Sequence, residues 1–174
     1  MTHVLIACIV VVAAVANTAA ATGIAAMGGQ NPPPPPGIAA GPIVVTPLGA
    51  IRGNAVVHAA TGVAVREFLG IPYAKPVSGE GRFRPARPVG PWAPATLDAT
   101  AAGAVCPQPL PVWPRNMTPI ALGEDCLSIN VWARAGVGRP SSDLDPLVPV
   151  MFFIHGGGFV RGAGSLYNGT GIAR

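Results

Sequence analysis

Val148-Pro149-Val150-Met151-Phe152-Phe153-Ile154 runs straight into His155-Gly156-Gly157-Gly158-Phe159. The first part is a continuous apolar run, rich in β-branched and aromatic residues and ended by glycines. That pattern predicts a strand buried on both faces, as in the middle of an α/β sheet. Glycines after such a strand let backbone N–H groups converge with no side chain in the way, which makes a nest for negative charge. Nucleotide-binding spacings fail at this turn. A G-x-G-x-x-G begun at Gly156 needs glycine where Arg161 stands, and a P-loop begun at Gly157 reaches Gly162 but meets Ala163 in place of lysine. Two readings remain. One is an oxyanion hole, whose N–H donors hold the charge of a tetrahedral acyl-transfer intermediate. The other is an ordinary glycine-rich turn.

Upstream, Leu127, Ile129 and Val131 alternate with Ser128, Asn130 and Trp132, which predicts a half-buried strand. Ile43–Thr46, Val56–Ala59 and the alternating stretch from Val63 to Phe68 predict a small antiparallel meander, broken at Pro47, Gly49 and Thr61-Gly62. Proline is so frequent from Pro72 to Pro114 that long helices are excluded there; only Ala95 to Val105 leaves room for a helical turn or two. A buried parallel strand needs crossover helices over its faces, and no convincing amphipathic helix follows residue 41. The expectation is therefore the front end of a larger domain.

Composition narrows the class further. Charged residues make up 10% of the 174-residue chain and the net charge is +4. So few charges, against about 25% in an ordinary domain, exclude a polyelectrolyte or a charged coiled coil. Arg66, Arg82, Arg84, Arg87 and Arg115 are scattered among prolines and apolar residues instead of forming a stripe, so no nucleic-acid partner is expected. Val4 to Ala16 is an unbroken apolar run of 13 residues, short of the ~20 a membrane span needs but right for the core of a secretory leader. Small residues suited to cleavage follow. We expect a signal peptide over 1–21, an Ala/Gly/Pro-rich linker over 22–40 stiffened by Pro32–Pro36, and folded sequence over 41–174, with no stable membrane span.

Three further motifs give the glycine turn a context. Phe68-Leu69-Gly70-Ile71-Pro72-Tyr73-Ala74 is followed by Gly81-Arg82-Phe83, and Cys106-Pro107-Gln108 precedes Glu124-Asp125-Cys126-Leu127-Ser128-Ile129-Asn130-Val131-Trp132. In order and approximate spacing, these segments and the His155–Phe159 turn resemble the type-B carboxylesterase and cholinesterase-like family. The resemblance covers roughly residues 41 to 174. It implies an α/β fold class, here an incomplete N-terminal part of an α/β-hydrolase in which an antiparallel meander leads into central sheet strands.

The resemblance also implies roles. The backbone N–H groups of Gly157 and Gly158 map to the oxyanion hole, Cys106 and Cys126 to a disulfide, and Arg82 and Glu124 to a structural salt bridge. Two free thiols are the alternative to the disulfide; secretion favours pairing, because Cys8 would leave with the signal peptide. Asn116 and Asn168 stand in glycosylation sequons. The expected substrate is a small-molecule ester, and neither a metal nor an organic cofactor is implied. The family's catalytic serine stands in G-x-S-x-G, and none of Ser78, Ser128, Ser141, Ser142 or Ser165 does. The nucleophile, acid and base are thus expected beyond Arg174. The expected whole is a secreted serine carboxylesterase, with these 174 residues inactive alone. Two alternatives remain: a non-catalytic adhesion or binding relative on the same fold, and a truncated product without activity.

Overall fold

In the computed structural model, which describes residues 9–12, 41–109, 121–136 and 148–173, the building is done by strands. Among the described residues there are eight strands, three short 3₁₀ turns and no α-helix. The strands are β1 (Ile9–Val12), β2 (Ile43–Thr46), β3 (Gly49–Arg52), β4 (Asn54–Val57), β5 (Ala64–Pro72), β6 (Thr96–Asp98), β7 (Ser128–Arg134) and β8 (Met151–Ile154). They form a five-stranded sheet in the order β4-β5-β7-β1-β8 and a three-stranded sheet in the order β2-β3-β6. This is the mixed-sheet framework of a partial α/β-hydrolase.

The small sheet begins with a hairpin. Pro47 and Leu48 form its loop, and the Thr46 hydroxyl organises it by donating to the Gly49 carbonyl at 2.8 Å. Gly49 has φ +138°, and a Cβ there would lie 2.5 Å from the Trp92 ring, so the turn has room only for glycine. Trp92 in turn donates its indole N–H to Ala50 O at 2.9 Å. β6 joins β3 in parallel, and Arg52 meets Asp98 across the pair at 2.8 Å. Hydrogen bonds from the Thr100 hydroxyl and then from Arg52 hold the Asp98 carboxyl below the usual carboxylate range.

The large sheet is centred on β5 and β7, which pair antiparallel with a register shift between Phe68 and Ile71. Gly70 sits in that bulge at φ +69°. Its N–H, turned out of the ladder, donates to Asn130 Oδ1 at 2.9 Å. Asn130 is 3% exposed, so this bond satisfies a buried acceptor. Two rows earlier on the sheet, Glu67 accepts from Trp132 Nε1 at 2.7 Å and from Asn54 Nδ2 at 3.2 Å. Val65, Trp132 and Ala173 form one buried cluster, and Ile51, Phe68 and Ala99 form another where the two sheets meet. A third cluster joins Ala74, Cys106, Cys126 and Leu127.

Several expectations need correcting. Ile43–Thr46 does not share a meander with the hairpin of β4 and β5: it pairs with Gly49–Arg52, because Pro47 and Gly49 bracket a tight turn and do not end the sheet. The segment expected to hold a helical turn supplies β6 instead. β7 has no single apolar face; Ser128, Asn130 and Trp132 are buried while Ile129 and Val131 are half-buried. The strand predicted to be buried on both faces is an edge strand. Among the described residues β8 pairs with β1 alone and no helix covers it, so Phe152 and Ile154 are 54% and 52% exposed. Apart from these corrections, Ile9–Val12, inside the segment expected to be a signal peptide, is placed as a strand between β7 and β8. It runs parallel to β7 and antiparallel to β8. The rest of 1–21, the linker 22–40, and Asn116 lie outside the described residues. Among the described residues no helix is long and apolar enough to cross a membrane.

Candidate active site

β8 ends at Ile154 and delivers the chain into the glycine turn. Phe153 and His155 share one face of this strand direction, and Tyr167 packs against both. Its ring lies 4.9 Å from that of Phe153, and it stacks on His155 at 6.4 Å with a 15° interplanar angle. His155 donates from Nδ1 to Gly156 O at 2.9 Å, which orients the imidazole along the turn. His155 Nε2 and Ser165 Oγ are buried with no partner among the described residues. Both border a cavity of about 20 Å³, room for one water and too small for a substrate.

The turn itself is left-handed over three residues. Gly157 has φ +141°, Gly158 φ +63° and Phe159 φ +59°. Phe159 is not a glycine and holds this conformation at a cost of about 1–2 kcal/mol. The Gly157 carbonyl accepts from the N–H groups of both Val160 and Arg161 at 3.2 Å, which closes the loop behind it. A Cβ on Gly157 would lie 1.7 Å from the Arg161 carbonyl oxygen, so no other residue fits this backbone path. No described residue accepts the N–H of Gly157 or Gly158. Both residues line a groove of about 170 Å³, whose opposite wall is Cys106, Pro107 and Gln108.

That wall is covalently fixed. Cys106 and Cys126 form a disulfide with Cα atoms 5.1 Å apart, and both residues are buried. Closing a loop of this length stabilises the fold by about 3 kcal/mol in the chain-entropy account. Just outside, Arg82 Nε donates to Glu124 Oε1 at 2.5 Å. The Arg82 hydrogen bond holds the Glu124 carboxyl below its usual range, and Glu124 pushes the Arg82 guanidinium up. The pair is largely solvent-exposed, so it anchors the surface of the loop and does not reach the groove. Asn168 is exposed, and its Oδ1 accepts from Thr170 N at 2.8 Å to cap the turn Gly169–Gly171.

The glycine turn, whose Gly157 and Gly158 N–H groups have no acceptor among the described residues, thus shares a groove with the disulfide-braced segment Cys106–Gln108. The chain matches the model of the carboxylesterase family over residues 40–174. It belongs to that family. It is 39% identical over 142 residues to cocaine esterase of Oryctolagus cuniculus, covering 78% of this chain and 26% of that protein. It is 42% identical over 134 residues to para-nitrobenzyl esterase of Bacillus subtilis (strain 168), covering 75% and 24%. To pyrethroid hydrolase Ces2e of Rattus norvegicus it is 35% identical over 142 residues, covering 78% and 24%. The chain thus spans about a quarter of the length of the curated relatives it matches. In this carboxylesterase chain, the apolar run and its glycines marked the turn, and the family resemblance implied the disulfide that the structure shows. Neither pointed to Tyr167 or the left-handed Phe159, because ring packing across a loop and a positive φ at a non-glycine residue leave no pattern in one sequence.

Proposed function

We propose that this chain forms the oxyanion-stabilising part of a secreted carboxylic-ester hydrolase that works through an acyl-enzyme. The observation that carries the reading is the pair of unclaimed N–H groups on Gly157 and Gly158, set by positive-φ backbone beside the groove. When a serine attacks an ester carbonyl, its oxygen gains the negative charge. Donors fixed beforehand in a partly dry groove stabilise that charge, each by about 2.7–4 kcal/mol. The acyl-enzyme is then released by water. The relatives named as esterases support a small-molecule ester as substrate.

The nucleophile is not among these residues. Ser165 comes nearest to an elbow serine, but Ala163 and Tyr167 stand where glycines are needed, and its hydroxyl is buried. The 174 residues alone are therefore inactive, and the complete enzyme hydrolyses p-nitrophenyl esters. The test is to assay both chains with and without an organophosphate. An inactive complete enzyme, or organophosphate-sensitive turnover by residues 1–174, would sink the reading.

Secretion with removal of 1–21 completes the proposal, supported by the apolar run Val4–Ala16 and the disulfide; on this reading Ile9–Val12 sits between β7 and β8 only in the precursor and leaves with the leader. The mature protein then begins at Thr22, which N-terminal sequencing of the secreted product checks. Asn116 and Asn168 would carry glycans in a host that attaches them.

A further inference from the structure

The glycine turn is tied at its far end by one side chain. Gly162 donates its N–H to Gln108 Oε1 at 2.7 Å, and Gln108 Nε2 donates back to Gly162 O at 3.0 Å. The same Nε2 donates to Cys106 O at 3.1 Å. A planar amide that gives and takes with a single residue reads backbone position as a strand neighbour would, but without a strand. Gly162 cannot relax away from this grip. It sits at φ +126°, and a Cβ there would lie 2.5 Å from His155 Nδ1 and 2.7 Å from Gly156 O. Gly162 therefore closes against the start of the turn while Gln108 holds it from behind. Two residues from Gln108, the Cys106–Cys126 bridge fixes the root of the clamp.

We infer that Gln108 is a positioning residue for the oxyanion turn, transmitting the rigidity of the disulfide to the N–H groups of Gly157 and Gly158. The inference rests on the ester-hydrolase reading for its catalytic consequence, though not for its geometry. The described pairing of β8 ends at Ile154 and so does not itself reach the turn at 157–162. The hydrogen bonding within the turn fixes residues 157 to 161 relative to one another and not to the wall of the groove. Gln108 lines the groove, but its amide oxygen and nitrogen are taken up by Gly162 and Cys106. Its loss moves donors, and a misplacement of ~1 Å can cost ~100-fold in rate.

The test uses the complete enzyme with Gln108→Ala and Gln108→Glu. Glutamate keeps the size and the acceptor for Gly162 N–H but loses the donor to Gly162 O and Cys106 O. Both variants are expected to lower kcat by roughly 10- to 100-fold with KM within about twofold of wild type, because only transition-state stabilisation is lost. Affinity for a trifluoromethyl ketone, which forms a tetrahedral oxyanion adduct, should weaken by the same factor as kcat. Backbone amides of residues 156–162 should exchange with solvent faster in both variants, and those of β7 should not. An unchanged kcat, a change confined to KM, or unaltered exchange at 156–162 overturns the inference. Should Gln108→Ala fail to fold, Gln108→Glu decides by the same readouts. An inactive wild-type enzyme whose 156–162 amides still loosen on substitution would remove the catalytic reading and leave the clamp standing.

Discussion

β7 and β8 lie on either side of β1, one parallel to it and the other antiparallel, yet their surroundings differ throughout. β7 is paired along both edges, and the side chains of Ser128, Asn130 and Trp132 are buried. Asn130 and Trp132 are also hydrogen-bonded to β5 residues. β8 is paired along one edge and exposes Met151, Phe152 and Ile154. The well-held strand carries no candidate catalytic group, while the poorly held one leads into the turn with the unclaimed N–H pair. Burial of a strand and precision of the loop that follows it are separate matters. In this protein the second is supplied from outside the strand, by Tyr167, Gln108 and the disulfide.

This contrast can be broken most forcefully at Trp132. Trp132→Ala removes the centre of the cluster with Val65 and Ala173 and leaves Glu67 without its indole donor. We expect a loss of about 3–5 kcal/mol, read as a lower urea midpoint by circular dichroism. A loss below 1 kcal/mol would mean that β7 is not the braced strand. At the other pole, Gly157→Ala forces a Cβ into the Arg161 carbonyl. It should lower kcat of the complete enzyme by about 10²–10³-fold, the effect of one displaced oxyanion donor, while the strained turn lowers the urea midpoint by less than Trp132→Ala does. Equal damage to stability and activity would erase the distinction between the two regions.

A smaller effect sharpens the comparison within the large sheet. Asn130→Ala strands the Gly70 N–H in the bulge and should destabilise by about 1–3 kcal/mol. Faster amide exchange at Gly70 locates the cause. The smallest effect belongs to the exposed pair. Arg82 holds the Glu124 carboxyl below its usual range, so the pair's contribution is present above the unfolded glutamate pKa and fades as pH falls through the folded one. The difference in melting temperature between wild type and Glu124→Gln should therefore shrink on acidification below about pH 4.5, and also with added salt. A difference that grows toward acid pH would contradict the assignment of the partner.

How legible the chain was depended on which physical signal each element left. The strand before the glycine turn, the hairpin around Thr61-Gly62 and β7 announced themselves by apolar runs, alternation and turn residues. β3 and β6 did not. Gly49–Arg52 mixes glycine, alanine and arginine, and Thr96–Asp98 is three residues long; both are strands because partners and Trp92 hold them there. The burial phase of β7 was unreadable for a different reason. A strand packed on both faces hides Asn130 as readily as Leu127, and it is the Gly70 bulge, a tertiary feature, that requires the amide. At the site, the family resemblance pointed to Gly157 and Gly158 as candidates, but no pattern in the chain could show that Gln108 reaches across to Gly162 over 54 residues of sequence. Ile9–Val12 shows a limit of another kind. An apolar run for a leader and one for a central strand have the same composition, so the residues alone leave both open.

That central strand also has a consequence in time. Ile9 is in register with Ile129 in β7 and Ile154 in β8, so among the described strands the first to be synthesised waits for β8. At roughly 5–20 residues per second, translation leaves it without partners for about ten seconds, far longer than a hairpin needs to close. During that interval Ile9–Val12 is a bare apolar segment emerging ahead of everything it pairs with. Machinery that recognises nascent hydrophobic chains and the sheet that needs the same four residues are in a race, and the machinery starts first.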